Sequence, residues 1–149
     1  MTRLRAAHPV FRRRRFFHGR PVRDGAVEDI AWLHPDGRAM RDEDWSSDGP
    51  APVAVFLNRQ GIYERDPLGE PIADDSFLLL FNPTGGEATF TVPESAYGSM
   101  WHTLVDTSDP CPAATEGHDK TIKPDSHLDV GAHTVLVLRC PTEPDGNLP

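Results

Sequence analysis

The run Ser76-Phe77-Leu78-Leu79-Leu80-Phe81-Asn82 constrains the fold of this chain more than any other stretch. A short apolar run of this kind, bounded by polar and turn residues, is the strongest strand signal in the sequence. Pro83-Thr84-Gly85-Gly86 follows it and reads as a hairpin turn. The expected return strand, residues 88–92, alternates: Phe90 and Val92 face one way, Thr89 and Thr91 the other. The period-two pattern recurs along most of the chain. Residues 27–34 alternate around Trp32, and Pro35-Asp36-Gly37 closes them with a turn. Residues 52–58 contain Val53-Ala54-Val55-Phe56-Leu57, apolar enough for burial on both faces. Residues 100–105 and 133–139 complete the set.

Between these runs the sequence is built for loops. It holds 15 prolines and 12 glycines in 149 residues, and only 38% of its residues are hydrophobic. Residues 59–75 and 106–126 are polar and read as long connections. Asp42-Glu43-Asp44 suits a short helical turn, with acids near its positive end. The expectation is an all-β fold: an antiparallel β-sandwich of about six to eight short strands, preceded by one short N-terminal helix. In that helix Leu4, Ala7 and Phe11 share a face, and Pro9 ends one turn and starts another. No good N-cap stands ahead of it, as if Met1 entered a helix already under way. The expected units are residues 1–23 (helix end and linker), 24–140 (sandwich) and 141–149 (disordered tail).

Charge separates the head from the body. Residues 1–23 carry eight arginines and no acid, leaving 7 basic and 23 acidic residues for 24–149. A body so anionic opposes nucleic acid and anionic membranes. The run Arg12 to Arg15 lies between Pro9-Val10-Phe11 and Phe16-Phe17, which call for burial, so it is expected to dock on an acidic surface of the sandwich or of a barrel rather than on nucleic acid. No apolar run is long enough to span a membrane, and no secretory signal follows the N-terminal arginines. Cys111 and Cys140 lie outside any CxxC pattern, which suits free thiols in a reducing cytoplasm, with a disulfide between them as the alternative.

Five segments, taken in order, carry a resemblance. They are His8-Pro9-Val10-Phe11-Arg12-Arg13-Arg14-Arg15-Phe16-Phe17, Asp29-Ile30-Ala31-Trp32, Asp42-Glu43-Asp44-Trp45, Val55-Phe56-Leu57-Asn58, and Asp75 through Asn82. Over about residues 3–139 the chain resembles the C-terminal portion of bacterial glycogen debranching enzymes, isoamylase-type members of the alpha-amylase superfamily. The resemblance implies that an (α/β)₈ barrel hydrolysing α-1,6 branch linkages precedes a β-sandwich. Residues 3–18 then correspond to the end of the last barrel helix. The catalytic aspartates and glutamate of such enzymes belong to barrel strands, and no position here matches them. The implied catalytic set is therefore empty, and the implied partner is the catalytic barrel, with glycogen or another α-glucan as a further one; the residues themselves offer no cofactor-binding or metal set.

The residues themselves offer few alternatives. The acid groups Asp24/Glu28/Asp29, Asp42/Glu43/Asp44 and Asp74/Asp75 read as solvated faces or caps, because neighbours along a chain seldom converge on one substrate atom. Asp29 stands out as a residue able to hydrogen-bond across an interface. Trp32 and Trp45 read either as core or interface packing or as stacking platforms for sugar rings; Trp101 lies in a strand pattern and reads as packing. His118-Asp119 and His127-Leu128-Asp129 lack metal-site spacing. Two functions follow as expectations: a non-catalytic sandwich domain that stabilises a barrel, inactive alone, or a freestanding α-glucan-binding module.

Overall fold

The computed structural model describes residues 2–13, 15–22, 27–46, 49–62, 65, 67–70, 72–109 and 121–142. Seven strands carry it: β1 (Ile30–Leu33), β2 (Val53–Leu57), β3 (Ser76–Asn82), β4 (Ala88–Thr91), β5 (His102–Asp106), β6 (His127–Val130) and β7 (Thr134–Cys140). Five form an antiparallel sheet in the order β1-β2-β3-β7-β5; β4 and β6 pair as a second, smaller sheet. One helix, α1 (Thr2–Ala7), and a 3-10 turn over Pro9–Arg12 precede them. The break between the two falls where Pro9 demands it.

The strongest sequence strand sits at the centre. β3 pairs with β2 on one edge and along all of its length with β7 on the other. Its alternate residues feed two cores. Leu78 and Leu80 join Phe56, Leu138, Phe90, Val92, Val130 and the fully buried Trp101 between the sheets. On the outer face of the large sheet, Phe77 joins Val55, Leu57 and Val137, and the N-terminal segment covers them with Val10, Leu4, Phe11 and Phe17. A short helix with one apolar stripe gains its stability from such packing, not from its own hydrogen bonds.

Two expectations change. The turn after β3 is not a hairpin. Both edges of β3 are taken, so β4 crosses to the second sheet, and the Asn82 amide pins the crossing by donating to the carbonyls of Gly86, Val130 and Gly131. The stretch after residue 126 contains a strand that alternation barely signals: β6 turns His127 and Asp129 outward and only Leu128 and Val130 inward. Pro141 and Thr142 are held, the first by Arg59 and the second by Asp74 and Asp75. Residues 143–149, Cys111, Asp24 and His118-Asp119 lie outside the described residues. The Cys140 thiol is free and buried.

Candidate functional site

The polar chemistry of this fold gathers where the N-terminal segment meets the large sheet. Asp74 and Asp75 close the long loop just before β3, and their place at the strand's start aims both at the segment. Asp74 accepts from the His8 ring at 2.6 Å and from the Val10 backbone N–H at 2.7 Å. Asp75 accepts from Arg139 Nε at 2.5 Å and from the Thr142 N–H at 2.7 Å. His8 also stands edge-on to Phe77, with ring centroids 4.8 Å apart. His8, Asp74 and Asp75 have the residue types of a metal site, and their ligand atoms lie within 4.8 Å of one another. Yet all four carboxylate oxygens already accept from protein donors, so the cluster acts as a latch that ties the segment to the sheet.

Asp29 forms a second latch. It immediately precedes β1 and is 2% exposed. Its carboxylate accepts from the backbone N–H groups of His18 and Gly19, at 3.0 and 2.9 Å, and from Arg13 at 3.4 Å. Arg13 is buried as well; its guanidinium lies 4.2 Å over the Phe17 ring and donates to the Gly61 carbonyl. Gly61 makes this fit possible, because a Cβ there would stand 2.6 Å from the Asp29 Cβ. Buried charge is tolerated when paired and hydrogen-bonded, as here. Two carboxylate latches therefore clamp residues 8–13 and 15–19 across the outer face of the sheet.

Trp32 lies on that same face, in a cross-strand row with Val55, Leu79 and Val137. It does not enter the core: Trp32 is 46% and Trp45 54% exposed, and the rings meet edge to face at 5.6 Å. A 3-10 turn over Asp42–Ser46 carries Trp45. Arg38 anchors that turn to β1 with a two-pronged pair to Asp44, at 2.6 and 2.9 Å. The Arg38 hydrogen bonds, with the Arg41 backbone N–H next, hold the Asp44 carboxyl well below its ordinary range; Asp44 in turn raises the Arg38 guanidinium.

The structure thus brings Trp32 and Trp45 together, and sets Asp29 on the same strand end but in a separate polar cluster. Sequence reasoning missed Asp74 and Asp75. They are not a solvated face: Asp75 is 8% exposed and both are fully engaged. A signal was present in two adjacent acids leading directly into the most apolar strand, where a carboxylate has little access to water.

With this geometry in view, comparison places the fold. The family described as "Isoamylase, C-terminal" matches residues 29–140. The chain belongs to the isoamylase C-terminal family. Similar proteins include the glycogen operon protein GlgX homologues of Mycobacterium bovis and Mycobacterium tuberculosis, each 45% identical over 139 residues. That alignment takes in 93% of this chain but only 19% of each homologue, so an isoamylase C-terminal chain of this kind spans about a fifth of those relatives' length. The family match covers all seven strands, with Asp29, Trp32, Trp45, Asp74 and Asp75; the clamped segment before residue 29 lies ahead of it. No helix among the described residues is long and apolar enough to cross a membrane.

Proposed function

We propose that this chain is the non-catalytic C-terminal sandwich of a glycogen-debranching, α-1,6-glucan-hydrolysing enzyme, and that it serves to hold and stabilise a catalytic barrel. The observation that carries this reading is the double latch. Residues 8–13 and 15–19 are fixed by buried carboxylates and apolar packing, which makes them a rigid joint rather than a linker. Trp32 and Trp45 extend the same outer face, along with half-buried Leu79, Phe81 and Val135, and this face is assigned to contact with the barrel. The carboxylate chemistry supports the non-catalytic role. Retaining glycosidases need two free carboxyl groups about 5–5.5 Å apart across a sugar. The close pair here, Asp74 and Asp75, is consumed by hydrogen bonds. A cytoplasmic setting goes with this reading and suits the free Cys140 thiol.

The test is direct. The pure chain, incubated with a branched α-glucan, is expected to release no reducing sugar. Release above a heat-killed control, retained after further purification, ends the proposal.

A further inference from the structure

A cleft of about 540 Å³ opens at the end of the sandwich away from the Trp32–Trp45 turn, where β2 ends, β3 begins and β7 finishes. It lies in the size range of small-molecule sites, about 300–1,000 Å³. Residues 95–99, between β4 and β5, form one wall, and Arg59 and Gln60 form another. Gly98 seats the first wall: a Cβ there would stand 2.6 Å from Trp101 Cζ2 and 3.0 Å from Cys140 Sγ. Only a glycine lets this loop lie flat on the buried indole. Tyr97 is likewise fixed, edge-on to Phe56 at 5.1 Å. The hydroxyls of Ser95, Ser99 and Tyr97 and the Gln60 side-chain amide line this space with no hydrogen-bond partner among the described residues.

We propose that this cleft binds a short neutral saccharide, a segment of an α-glucan chain, through the unengaged hydroxyl and amide groups and the Tyr97 ring. Sugars offer many hydroxyls that donate and accept, and apolar faces that rest on aromatic rings. The charge balance selects a neutral ligand. Arg59 stands at one wall, while burial pushes the Tyr97 phenol up and Glu28 and Glu94 push it further, so the phenol remains a donor in a negative field. An anion would gain from Arg59 and lose to both glutamates. The exposed tryptophans make a poorer platform, because rings set at 74° to each other present no common plane to successive sugar rings. The choice of α-glucan rests on the debranching reading; the cleft's preference for a neutral polyol does not.

Calorimetric titration of the pure chain with maltoheptaose, paired with backbone and indole NMR shifts, tests the proposal. Binding at millimolar ligand is expected, with shifts on residues 59–60 and 95–99 and on the Trp101 indole N–H. Ser99→Trp, which fills the mouth from an exposed position, is expected to weaken binding by about tenfold or more. Gln60→Ala is expected to weaken it less. The Trp32→Ala/Trp45→Ala double variant is expected to bind as the parent does. No binding at millimolar maltoheptaose overturns the proposal. So do shifts confined to residues 32 and 45, and so does binding of inorganic phosphate in preference to the oligosaccharide. None of these outcomes bears on the hydrolysis test, so the non-catalytic reading stands or falls separately.

Discussion

Asp29 shows how one carboxylate decides whether a segment is docked or loose. It gathers two backbone N–H groups and a buried guanidinium. Asp29→Ala leaves Arg13 buried without its counter-charge, and such losses typically cost about 3–5 kcal/mol. Peeling of the segment caps the loss, so urea denaturation is expected to show a large fall in midpoint together with rapid amide exchange at residues 13–19. An unchanged midpoint refutes the latch. The Arg38–Asp44 clamp makes a pH prediction instead. Asp44's folded-state pKa is depressed, so its contribution is present above the ordinary carboxylate value, about 4, and is lost as pH falls through the lower folded value. The coupled near-UV signal of Trp32 and Trp45 is expected to survive at pH 4 and collapse only in stronger acid, whereas Asp44→Asn is expected to show a weakened signal with no such acid step. The sequence exposed Asp29 as an interface candidate because an acid beside a strand needs a partner. It hid Asp74 and Asp75 because their donors lie more than sixty positions away, on His8 and Arg139.

At the scale of elements, what the chain revealed depended on how far each strand's pattern was its own. β2 and β3 were legible because continuous apolar runs admit no other placement. The pairing of β4 was not. Pro83-Thr84-Gly85-Gly86 suits a hairpin, but β7, some fifty residues on, occupies the edge that a hairpin would use. β6 contributes two apolar residues in four, and its role emerges only once β4 requires a partner. Trp32 and Trp45 read first as core or interface packing and second as a platform, since nothing local to residue 45 tells that Arg38 would hold it at the surface. The N-terminal segment carries its own prediction. Removal of residues 1–22 uncovers Val55, Leu57, Phe77 and Val137 on the outer face while leaving every strand in place. The truncated chain is expected to keep its β-type far-UV spectrum, bind a hydrophobic dye strongly and associate as concentration rises, because a contiguous apolar patch of this kind rarely stays exposed. A truncated chain that remains monomeric and dye-silent contradicts the assignment of that face.

The whole molecule joins an arginine-rich head to an acidic body, and the latches are where the two signs meet. Arg13 finds Asp29, His8 finds Asp74, and Arg139 supports Asp75 from the neighbouring strand. Because these contacts lie on one sheet face, strain applied to the head is passed to β3, the central strand of the five-stranded sheet. On the function proposed above, a domain built this way bears load for a partner. The consequence is measurable in any longer polypeptide that carries a catalytic region ahead of this chain. Asp75→Ala removes the acceptor for Arg139 and Thr142 without touching a group that could meet substrate. Such a protein is expected to lose activity at a lower temperature and to show an earlier unfolding transition, while kcat/KM measured before inactivation stays at the parent value. A fall in kcat/KM with unchanged thermal behaviour would place Asp75 in substrate turnover and remove the mechanical reading of the latch, since a joint that only holds can fail in no way other than by letting go.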